Sequence, residues 1–500
     1  MLKRPKDIPG RDDHLVSAPT TIHWQTVELD LKAYEGLLPA GPGPPPKIGT
    51  PRPLGLFSSS FLFSFLLHDH VPNISPALKG PNGRMLLVKR PVLVAIPCLL
   101  LVFCFFYVIT PRPKSQVQPT RTPLTQPQGQ HRFDGAWRYE RDRDDLLLTQ
   151  GQCDLAFADL FADLERAGAA RAERPITIGE IDSVPPRNGY IRAMIYDQQL
   201  YVISKEGDTW SREIATLSAI NRAILTSPEP LPNIEFAFNT DDHIDNAAQW
   251  GYSRRPEDEL VWLIPDFGFW SWPEIKAGSV KEILMDVERA EKEGGMEWSN
   301  KIDKLLWRGM STLDQEIRGK LLSVTEKKPW ADVKSLDQAG QQNIQDDYRT
   351  MPEFCDYKYL AQTEGDAHSG HLKYLQMCRS VVVSHKLDRI QHHSHLLRSS
   401  GSQQNFVEVE RDWSDLEKKM KWLRKHDKDA QRIADNNVQM FRERYLTQAA
   451  EVCYWRRLIQ EWAKASDFEP EFFTEENGKK VQRGLSAETF LLMRAMDWES

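Results

Sequence analysis

The stretch EGDAHSGHLKYLQMCRSVVVSH, residues 364–385, places a polar loop in front of a short apolar helix and a β-branched strand. Ser369, Gly370 and His371 stand where the predicted loop turns into the predicted helix. A helix start exposes unpaired N–H groups and a partial positive charge, so this position suits a phosphate group. Because Ser is also a common cap of ordinary helices, the loop by itself leaves both interpretations open.

Two further stretches end predicted strands with charged side chains. The segment NIEFAFNTDD alternates like a strand and closes with Asp241 and Asp242. The segment KLLWRGM is an apolar strand that closes on Arg308 and Gly309. A carboxylate at a strand end can act as a general base, and an Arg there can bind phosphate or form a salt bridge. Arg318, in the next predicted helix, fits a solvent-exposed helix face better.

An α/β core is expected to position these side chains. From about residue 136 the sequence becomes globular, and its second half repeats a pattern of strand, loop and helix. This order predicts a parallel sheet covered by helices on both faces, and such sheets bind ligands at the carboxyl ends of their strands. Both the loop at 369–371 and the Arg308 strand end fall at such places, which favours the phosphate interpretation.

Several other classes of site are not supported. The formal net charge of −7 argues against nucleic-acid binding. The sequence has no GxGxxG, P-loop lysine, HExxH or paired CxxC motif. The cluster His392, His393 and His395 lacks a Cys or acidic partner at ligand spacing, so no metal site is expected. Fifteen Trp could line a sugar site, although large aromatic side chains more often form core.

Residues 91–110, PVLVAIPCLLLVFCFFYVIT, form an uncharged stretch of about the 20 residues that a bilayer requires. This stretch predicts one transmembrane helix, with a buried helix of a globular domain as the alternative. It is too long and too far from Met1 for a cleaved signal peptide, so we expect a signal-anchor with type II topology. Basic residues lie on both sides, so charge alone hardly fixes the orientation.

The segments around this predicted span differ in composition. Residues 1–90 are expected to be cytosolic and largely disordered, and the Pro- and Gln-rich residues 111–135 to form an extended stem. Four cysteines follow the span: Cys153, Cys355, Cys378 and Cys453. In an oxidising lumen they allow two disulfides in three pairings, whereas in the cytosol they would stay reduced.

One family becomes visible in the order of these motifs. The segments EFAFNTDD, PDFGFWSWPE, KLLWRG, FCDYKYLAQTEGDAHSGHLKYLQMCRSVVVSH, QNFVEVERDWSDLEKKM and CYWRRL resemble the glycosyltransferase family 90 domain over roughly 180–465. This is the family of capsule-associated and Rumi-type proteins, and the details are most similar to fungal membrane-anchored members. The resemblance implies a GT-B-like α/β fold, in which two Rossmann-like lobes form a donor cleft.

We therefore expect a glycosyltransferase domain at 136–468, followed by a tail at 469–500. Its N-terminal lobe would span about 136–295 and its C-terminal lobe about 296–450, with closing helices to 468. The resemblance implies inverting transfer of glucose or xylose from UDP-glucose or UDP-xylose to a glycan or protein hydroxyl, without a required metal. It places this domain in the lumen of the Golgi or endoplasmic reticulum.

The resemblance also assigns residues by position. Asp242 falls on the place of the family's catalytic base. The resemblance also implies a Cys355–Cys378 disulfide that would bracket the loop at residues 364–371, named the donor loop below, which leaves Cys153 to pair with Cys453. The expected donor-binding residues are Arg308, Gly309, Ser369, Gly370 and His371. Possible contacts to the sugar or the acceptor are Asp241, Asp266 and Trp270.

One residue departs from the family pattern. His371 stands where family members usually carry an Arg that contacts the diphosphate, and a His is mostly neutral at pH 7. A phosphate neighbour would raise the pKa of this His and make it a cation. The alternative is a weakened or inactive member that binds glycans or acts as a scaffold, with a soluble cytosolic enzyme as a more distant possibility.

Overall fold

The structure, a computed structural model, describes residues 133–208, 211–337 and 347–496, with side chains to residue 493. The expected membrane span at 91–110 and nearly all of the expected stem lie outside these residues. Within the described part of the chain, no helix combines the length and apolar character needed to cross a bilayer.

The first sheet is mixed. Its six strands are β1 Tyr190–Tyr196, β2 Gln199–Glu206, β3 Ile234–Asn239, β4 Trp250–Gly251, β5 Trp262–Leu263 and β13 Leu485–Ser486, in the order β13-β2-β1-β3-β4-β5. Strand β1 runs antiparallel to β2 and β3, whereas β3, β4 and β5 are parallel. Asp197 and Gln198 both have positive φ in the tight turn between β1 and β2, which suits a twisted hairpin.

The second sheet is entirely parallel. Its five strands are β6 Ile302–Gly309, β7 Ala331–Ser335, β8 Tyr357–Gln362, β9 Val381–His385 and β10 Val407–Val409, in the order β10-β9-β8-β6-β7. This sheet confirms the parallel α/β prediction and is Rossmann-like. The expectation of two such sheets is not met, because the β1–β2 hairpin makes the first one mixed.

Thirteen α-helices surround these sheets in the described residues. They are α1 Tyr139–Asp142, α2 Gln150–Ala156, α3 Ala162–Ala169, α4 Ile178–Asp182, α5 Ser211–Leu225, α6 Val280–Lys292, α7 Lys320–Thr325, α8 Met351–Phe354, α9 Leu372–Leu375, α10 Leu416–Lys425, α11 Asp427–Asn437, α12 Gln448–Ala465 and α13 Ala487–Met496. Two π-helical turns, Gln315–Gly319 and Val438–Tyr445, precede α7 and follow α11. Ser279 caps α6 in a capping box with Glu282, which fits the sequence pattern there.

Helix α12 returns to the first sheet and is largely buried. Trp462 Nε1 donates to the Glu235 carbonyl at 3.0 Å, and the Tyr454 hydroxyl donates to the Leu263 carbonyl at 2.9 Å. The Trp462 ring lies 5.6 Å from Trp250, so aromatic side chains here form core and not a sugar site.

Both expected disulfides are present. Cys153 pairs with Cys453 across 300 residues, which ties α2 to α12. Cys355 pairs with Cys378 across 23 residues, so this bond closes the segment that contains β8, the donor loop and α9. Each bond therefore links parts of the chain that would otherwise be joined only by packing.

The tail beyond α12 forms structure of its own. A hairpin of β11 Phe473–Glu476 and β12 Lys479–Gln482 leads to β13, which pairs with β2 at the edge of the first sheet. Arg483 binds the fully buried Glu235 carboxylate with two N–H groups, at 2.7 and 2.9 Å, and Arg192 binds the same carboxylate at 2.6 Å. The tail thus docks through a buried carboxylate shared by two arginines.

Candidate functional site

The predicted base follows β3 in a tightly bonded turn. The Asp241 N–H donates to Asn239 Oδ1 at 2.7 Å, and the Asp242 N–H donates to Asp241 Oδ1 at 2.6 Å. Asn188 Nδ2 donates to the other Asp241 oxygen at 3.0 Å. Both carboxylate oxygens of Asp241 are therefore used in holding the turn, and this turn orients Asp242.

A cation lies beside this base. Arg212, at the start of α5, forms an ion pair with Asp242 Oδ1 at 3.3 Å and donates to the Thr240 carbonyl at 3.1 Å. The Arg212 guanidinium lies 4.8 Å from the centre of the Phe267 ring. The Asp242 side chain remains 32% exposed. The carboxylate is thus fixed on one side and open to a substrate on the other.

The loop after β5 contributes a buried carboxylate. Asp266 Oδ1 accepts from the Gly268 N–H at 2.8 Å and pairs with Lys373 Nζ at 2.7 Å. Burial alone would raise the pKa of Asp266, but the Lys373 ammonium outweighs it and the pKa is lowered. A Cβ on Gly268 would stand 2.5 Å from Lys373 Nζ, so only glycine permits this approach.

Lys373 is buried where the loop after β5 meets α9. Its ammonium also donates to the Gly370 carbonyl at 2.6 Å and lies 4.4 Å from the centre of the Tyr374 ring. The Tyr374 hydroxyl in turn donates to the Gly268 carbonyl at 2.8 Å. Lys373 and Tyr374 therefore join the ends of the two sheets directly beside the loop that carries Ser369, Gly370 and His371.

The donor loop differs from a Ser-capped helix. Helix α9 begins at Leu372 and is one turn long, with His371 as its N-cap, while the Ser369 hydroxyl accepts from the His371 N–H at 3.4 Å. A Cβ on Gly370 would lie 2.8 Å from the Trp272 ring, so the loop backbone packs directly against that ring. Ser369 and Gly370 thus shape the approach to His371.

His371 is not a cation in this setting. Its ring lies 5.6 Å from Trp272 and 6.5 Å from Phe354. Burial lowers the pKa of His371 to about 3, with further contributions from the positive charges of Arg318 and Lys373. At pH 6 and above it is therefore a neutral hydrogen-bonding group, and the positive charge near the loop comes from its two neighbours.

Arg318 lies at the strand ends and not on a solvent-exposed helix face. It is only 7% exposed, because the π-helical turn that carries it packs against the ends of β6 and β8. Its Nε donates to the Glu364 carbonyl and its Nη1 to the Met310 carbonyl, both at 2.8 Å. A Cβ on Gly365 would be 2.7 Å from its Nη2. The sequence interpretation of Arg318 is wrong in this respect.

Charges from both sheets meet in this region. The carboxylates of Asp314, Asp366 and Asp242 all act electrostatically on Arg318, while burial lowers its pKa. Asp242 follows β3 of the first sheet, and Arg318 lies in the π-helical turn after β6 of the second sheet. A carboxylate open to solvent and a buried guanidinium are therefore within electrostatic range of each other at adjoining loops.

Comparison with known proteins decides the family. The profile described as "Glycosyl transferase family 90" matches residues 149–488, which is more than half of the chain. The chain belongs to glycosyl transferase family 90. The resemblance inferred from the sequence motifs is confirmed, and the chain is a glycosyltransferase.

Curated relatives share about a quarter of the sequence. The chain is 25% identical to the O-glucosyltransferase rumi of Drosophila pseudoobscura pseudoobscura over 308 residues, covering 56% of this chain and 71% of that protein. It is 25% identical to a rumi homolog of Aedes aegypti over 276 residues, covering 51% and 67%. It is 23% identical to human protein O-glucosyltransferase 1 over 272 residues, covering 49% and 66%.

In this family 90 domain, Arg308 does not reach the donor loop. Its guanidinium pairs with Asp332 at 2.7 Å and donates to the carbonyls of Trp307 and Asp332, at 2.9 and 2.6 Å. Its Nε donates to the Asp347 carbonyl at 2.6 Å. Four of its five N–H groups thus have protein acceptors. These contacts match the salt-bridge alternative, and Gly309 packs against the Trp307 ring.

Trp270 also lies apart from the base. It packs against Arg222, whose guanidinium lies 4.8 Å from the ring centre, near the end of α5. Arg212 begins the same helix, so the two arginine backbones are about 15 Å apart along its axis. Trp272, two residues further along the chain, is the aromatic residue that contacts Gly370 and His371. Aromatic composition alone could not separate these two tryptophans.

The three clustered histidines have different partners in the structure, although the rings of His392 and His393 lie 4.7 Å apart. His393 Nε2 bonds with Gln376 Oε1 at 3.2 Å, and His395 Nε2 with the Asp159 carbonyl at 2.6 Å. His392 packs its ring against Tyr454. In the part of the chain that the structure describes, no three His, Cys, Asp or Glu side chains are grouped as metal ligands.

Proposed function

We propose that this chain transfers glucose or xylose from UDP-glucose or UDP-xylose to a hydroxyl group of a glycan or protein acceptor, with inversion at the anomeric carbon. The observation that carries the proposal is that Asp242, in the turn after β3, lies within electrostatic range of Arg318 beside the donor loop. The proposed donor cleft lies between the two sheets, in a GT-B arrangement. The names of the rumi-type relatives support an O-glycosyl product.

Asp242 acts as the general base in this proposal. Its carboxylate takes the proton from the acceptor hydroxyl as that oxygen forms a bond to the anomeric carbon. The bond between this carbon and the UDP oxygen breaks in the same displacement, which inverts the configuration. Asp241 and Arg212 orient the base through the turn and the ion pair described above.

Arg318 and Lys373 provide the positive field for the leaving UDP. Fixed charges in a buried site stabilise a developing anion without reorganising, so they can serve where a metal would otherwise be needed. Gly365 and Gly370 have no Cβ, which lets Arg318 and Trp272 pack directly against the backbone of the donor loop. Neutral His371 contributes hydrogen bonds in place of the charge of the family's usual Arg. The reaction as proposed requires no metal.

One observation favours a second candidate. The lowered pKa of His371 removes a permanent cation from the donor loop, so a weakened or inactive member that binds glycans or acts as a scaffold is the alternative. This weakened or inactive member would differ from the transferase of the first proposal in whether it turns over the sugar nucleotide. Measured transfer therefore separates the two.

We propose the lumen of the Golgi or endoplasmic reticulum as the location, with residues 91–110 as a type II membrane anchor. The two disulfides support an oxidising compartment. Membrane extraction and protease protection of intact vesicles test this topology. Cleavage of the domain by protease outside sealed vesicles would contradict it.

Calorimetric titration of UDP into the full chain in detergent tests the donor site. Wild type and Asp242→Asn should bind UDP, whereas Arg318→Met should bind at least about 10-fold more weakly, because a charge-assisted contact is lost. Arg379→Met, at a partly exposed ion pair with Asp435, is the matched control and should bind like wild type. The same titration at pH 6 and 7.5 compares binding at two pH values where His371 of the unliganded chain is neutral.

Release of UDP from UDP-glucose and UDP-xylose in the presence of acceptor mixtures tests turnover. Release by wild type and its loss in Asp242→Asn would support the transferase. UDP binding without release would favour the glycan-binding alternative. A folded wild-type chain that binds no UDP at either pH would refute the proposal.

A further inference from the structure

His368 lies deep in the region between the two sheets. It belongs to the loop after β8, two residues before Gly370, and is 9% exposed. Its ring centre is 6.0 Å from that of Tyr252, a buried residue that directly follows β4 of the first sheet. The Asp266 and Asp242 carboxylates and the Lys373 and Arg212 cations all act on it electrostatically.

One nitrogen of the His368 ring lacks a hydrogen-bond partner. Its Nδ1 is buried and bonds to no group of the described residues. His385, on the neighbouring strand β9, shows the contrasting arrangement. Its Nε2 accepts from the Glu364 N–H at 2.9 Å, and its Nδ1 bonds with the Lys386 carbonyl at 2.8 Å. Buried polar groups are normally satisfied in this way, so His368 is an exception that requires an explanation.

The position of His368 selects the kind of group that could satisfy it. Burial lowers its pKa, while Asp266 and Asp242 oppose that effect, so the neutral form of the ring is favoured. A neutral imidazole has one donor and one acceptor nitrogen, so a hydroxyl group could use either of them, whereas a phosphate could use only the N–H. The charges proposed to act on the phosphates lie on other elements, Arg318 in the π-helical turn after β6 and Lys373 in α9. His368 instead shares the electrostatic surroundings of Asp242, where the sugar reacts.

We propose that His368 recognises one hydroxyl group of the transferred sugar and thereby determines donor specificity. This inference rests on the proposed sugar-nucleotide transfer and adds a residue to it. Sites built to bond a hydroxyl discriminate strongly against analogues that lack it, because the partner group is then left unpaired. His368 therefore favours donors that carry this hydroxyl over deoxy analogues.

The test compares UDP-glucose with its 2-, 3-, 4- and 6-deoxy analogues, using the full chain and kcat/KM for UDP release. The kcat/KM of the wild type should be at least about 10-fold lower for one deoxy analogue than for UDP-glucose. In His368→Ala, kcat/KM for UDP-glucose should fall by a similar factor, whereas kcat/KM for that deoxy analogue should not fall further. This is expected because the hydroxyl and the imidazole form one interacting pair. His368→Gln, which keeps a donor and an acceptor, should recover part of the discrimination.

Controls separate this role from a structural one. His395→Ala, which removes a bond to the Asp159 carbonyl outside the cleft, should leave the pattern over the four analogues unchanged. UDP affinity should be unchanged in His368→Ala and His368→Gln, since the diphosphate is held elsewhere. If His368→Ala does not fold, His368→Gln must still reduce the ratio of kcat/KM for UDP-glucose to kcat/KM for the sensitive deoxy analogue.

Three results would overturn the inference. A uniform loss of kcat/KM over all donors, in either variant, would mean that His368 acts only through the fold. Unchanged discrimination in both variants would mean that the hydroxyl is recognised by another residue, while the transferase remains supported. A folded wild type that binds no UDP would remove both the inference and the proposed function.

Discussion

The Lys373–Asp266 ion pair allows a quantitative prediction, because it is buried and joins the loop after β5 to helix α9. Lys373→Met removes the ammonium and leaves the Asp266 carboxylate buried without its counter-charge. Breaking one partner of a buried pair typically costs about 3–5 kcal/mol, far more than the net contribution of the pair itself. The double variant Lys373→Met, Asp266→Asn removes both charges and should recover most of this loss, since Asn can still accept from the Gly268 N–H.

The expected shift in melting temperature follows from the size of the folded part. An unfolding entropy of about 2.1 cal/mol/K per residue over roughly 350 residues gives about 0.7 kcal/mol/K. A cost of about 3–5 kcal/mol then lowers the Tm of Lys373→Met by roughly 4–7 °C. Differential scanning calorimetry at pH 7 on wild type, both single variants and the double variant provides the complete cycle.

The pH dependence has a definite sign. The pKa of Asp266 is lowered in the folded state, so its contribution to stability is present above its unfolded pKa, near about 4, and is lost as the pH falls through the lowered value. Without Lys373, burial raises the pKa of Asp266 instead. The Tm difference between wild type and Lys373→Met should therefore shrink as the pH is lowered from 7 towards 4.

A surface pair supplies the control for this experiment. Lys386 pairs with Glu410 at 2.9 Å, and both side chains are about half exposed, at 52% and 53%. Lys386→Met should leave the Tm almost unchanged, because an exposed ion pair contributes little to stability. If Lys373→Met costs no more than this control, or if the double variant is as unstable as the single, the reasoning from buried charge is refuted.

Three further predictions test the remaining parts of the site. Asp242→Asn should lower initial transfer rates by at least about 100-fold with no change in Tm, and normal rates would exclude it as the base. Arg308→Met should lower the free energy of unfolding by about 2–4 kcal/mol in urea titrations, because Asp332 and several carbonyls lose their partners; a fall in UDP affinity without destabilisation would contradict this structural role. Replacing Cys355 and Cys378 by Ala should cost about 3 kcal/mol in the same titrations, from the entropy of a closed loop of 23 residues, and an unchanged urea midpoint would contradict that estimate.

Local patterns predicted the regular elements well. Apolar residues between 210 and 227 recur at helical spacing, and they form α5 at Ser211–Leu225. The Val381–Val383 run lies in the buried strand β9. These elements form because their side-chain period matches one buried face or a buried strand, and that information is local. The antiparallel start of the first sheet depends on a tight turn, which the strand pattern did not reveal.

The charged residues of the site were harder to assign from the sequence. Arg318 lies in a helical turn whose burial depends on β6 and β8, so its spacing alone predicted an exposed face. Arg308 and Trp270 have the residue types expected for a sugar-nucleotide site, but neighbouring acceptors and packing direct them elsewhere. The pKa of His371 depends first on burial and then on Arg318, 53 residues earlier in the chain. Such effects require the three-dimensional arrangement.

Stability and chemistry share residues where the two sheets meet. The proposed base Asp242 follows β3 of the first sheet, and Arg318 lies in the turn after β6 of the second sheet, so neither sheet alone can assemble the proposed reaction. Lys373 joins them through Asp266, and the same ammonium contributes positive charge beside the donor loop. A substitution there must therefore change folding and donor binding together, whereas Asp242, partly exposed and paired only with Arg212 among the described charged groups, can be changed with little effect on the fold. Lys373 and Asp266, which join the two sheets, are thus distinct from Asp242, the proposed base.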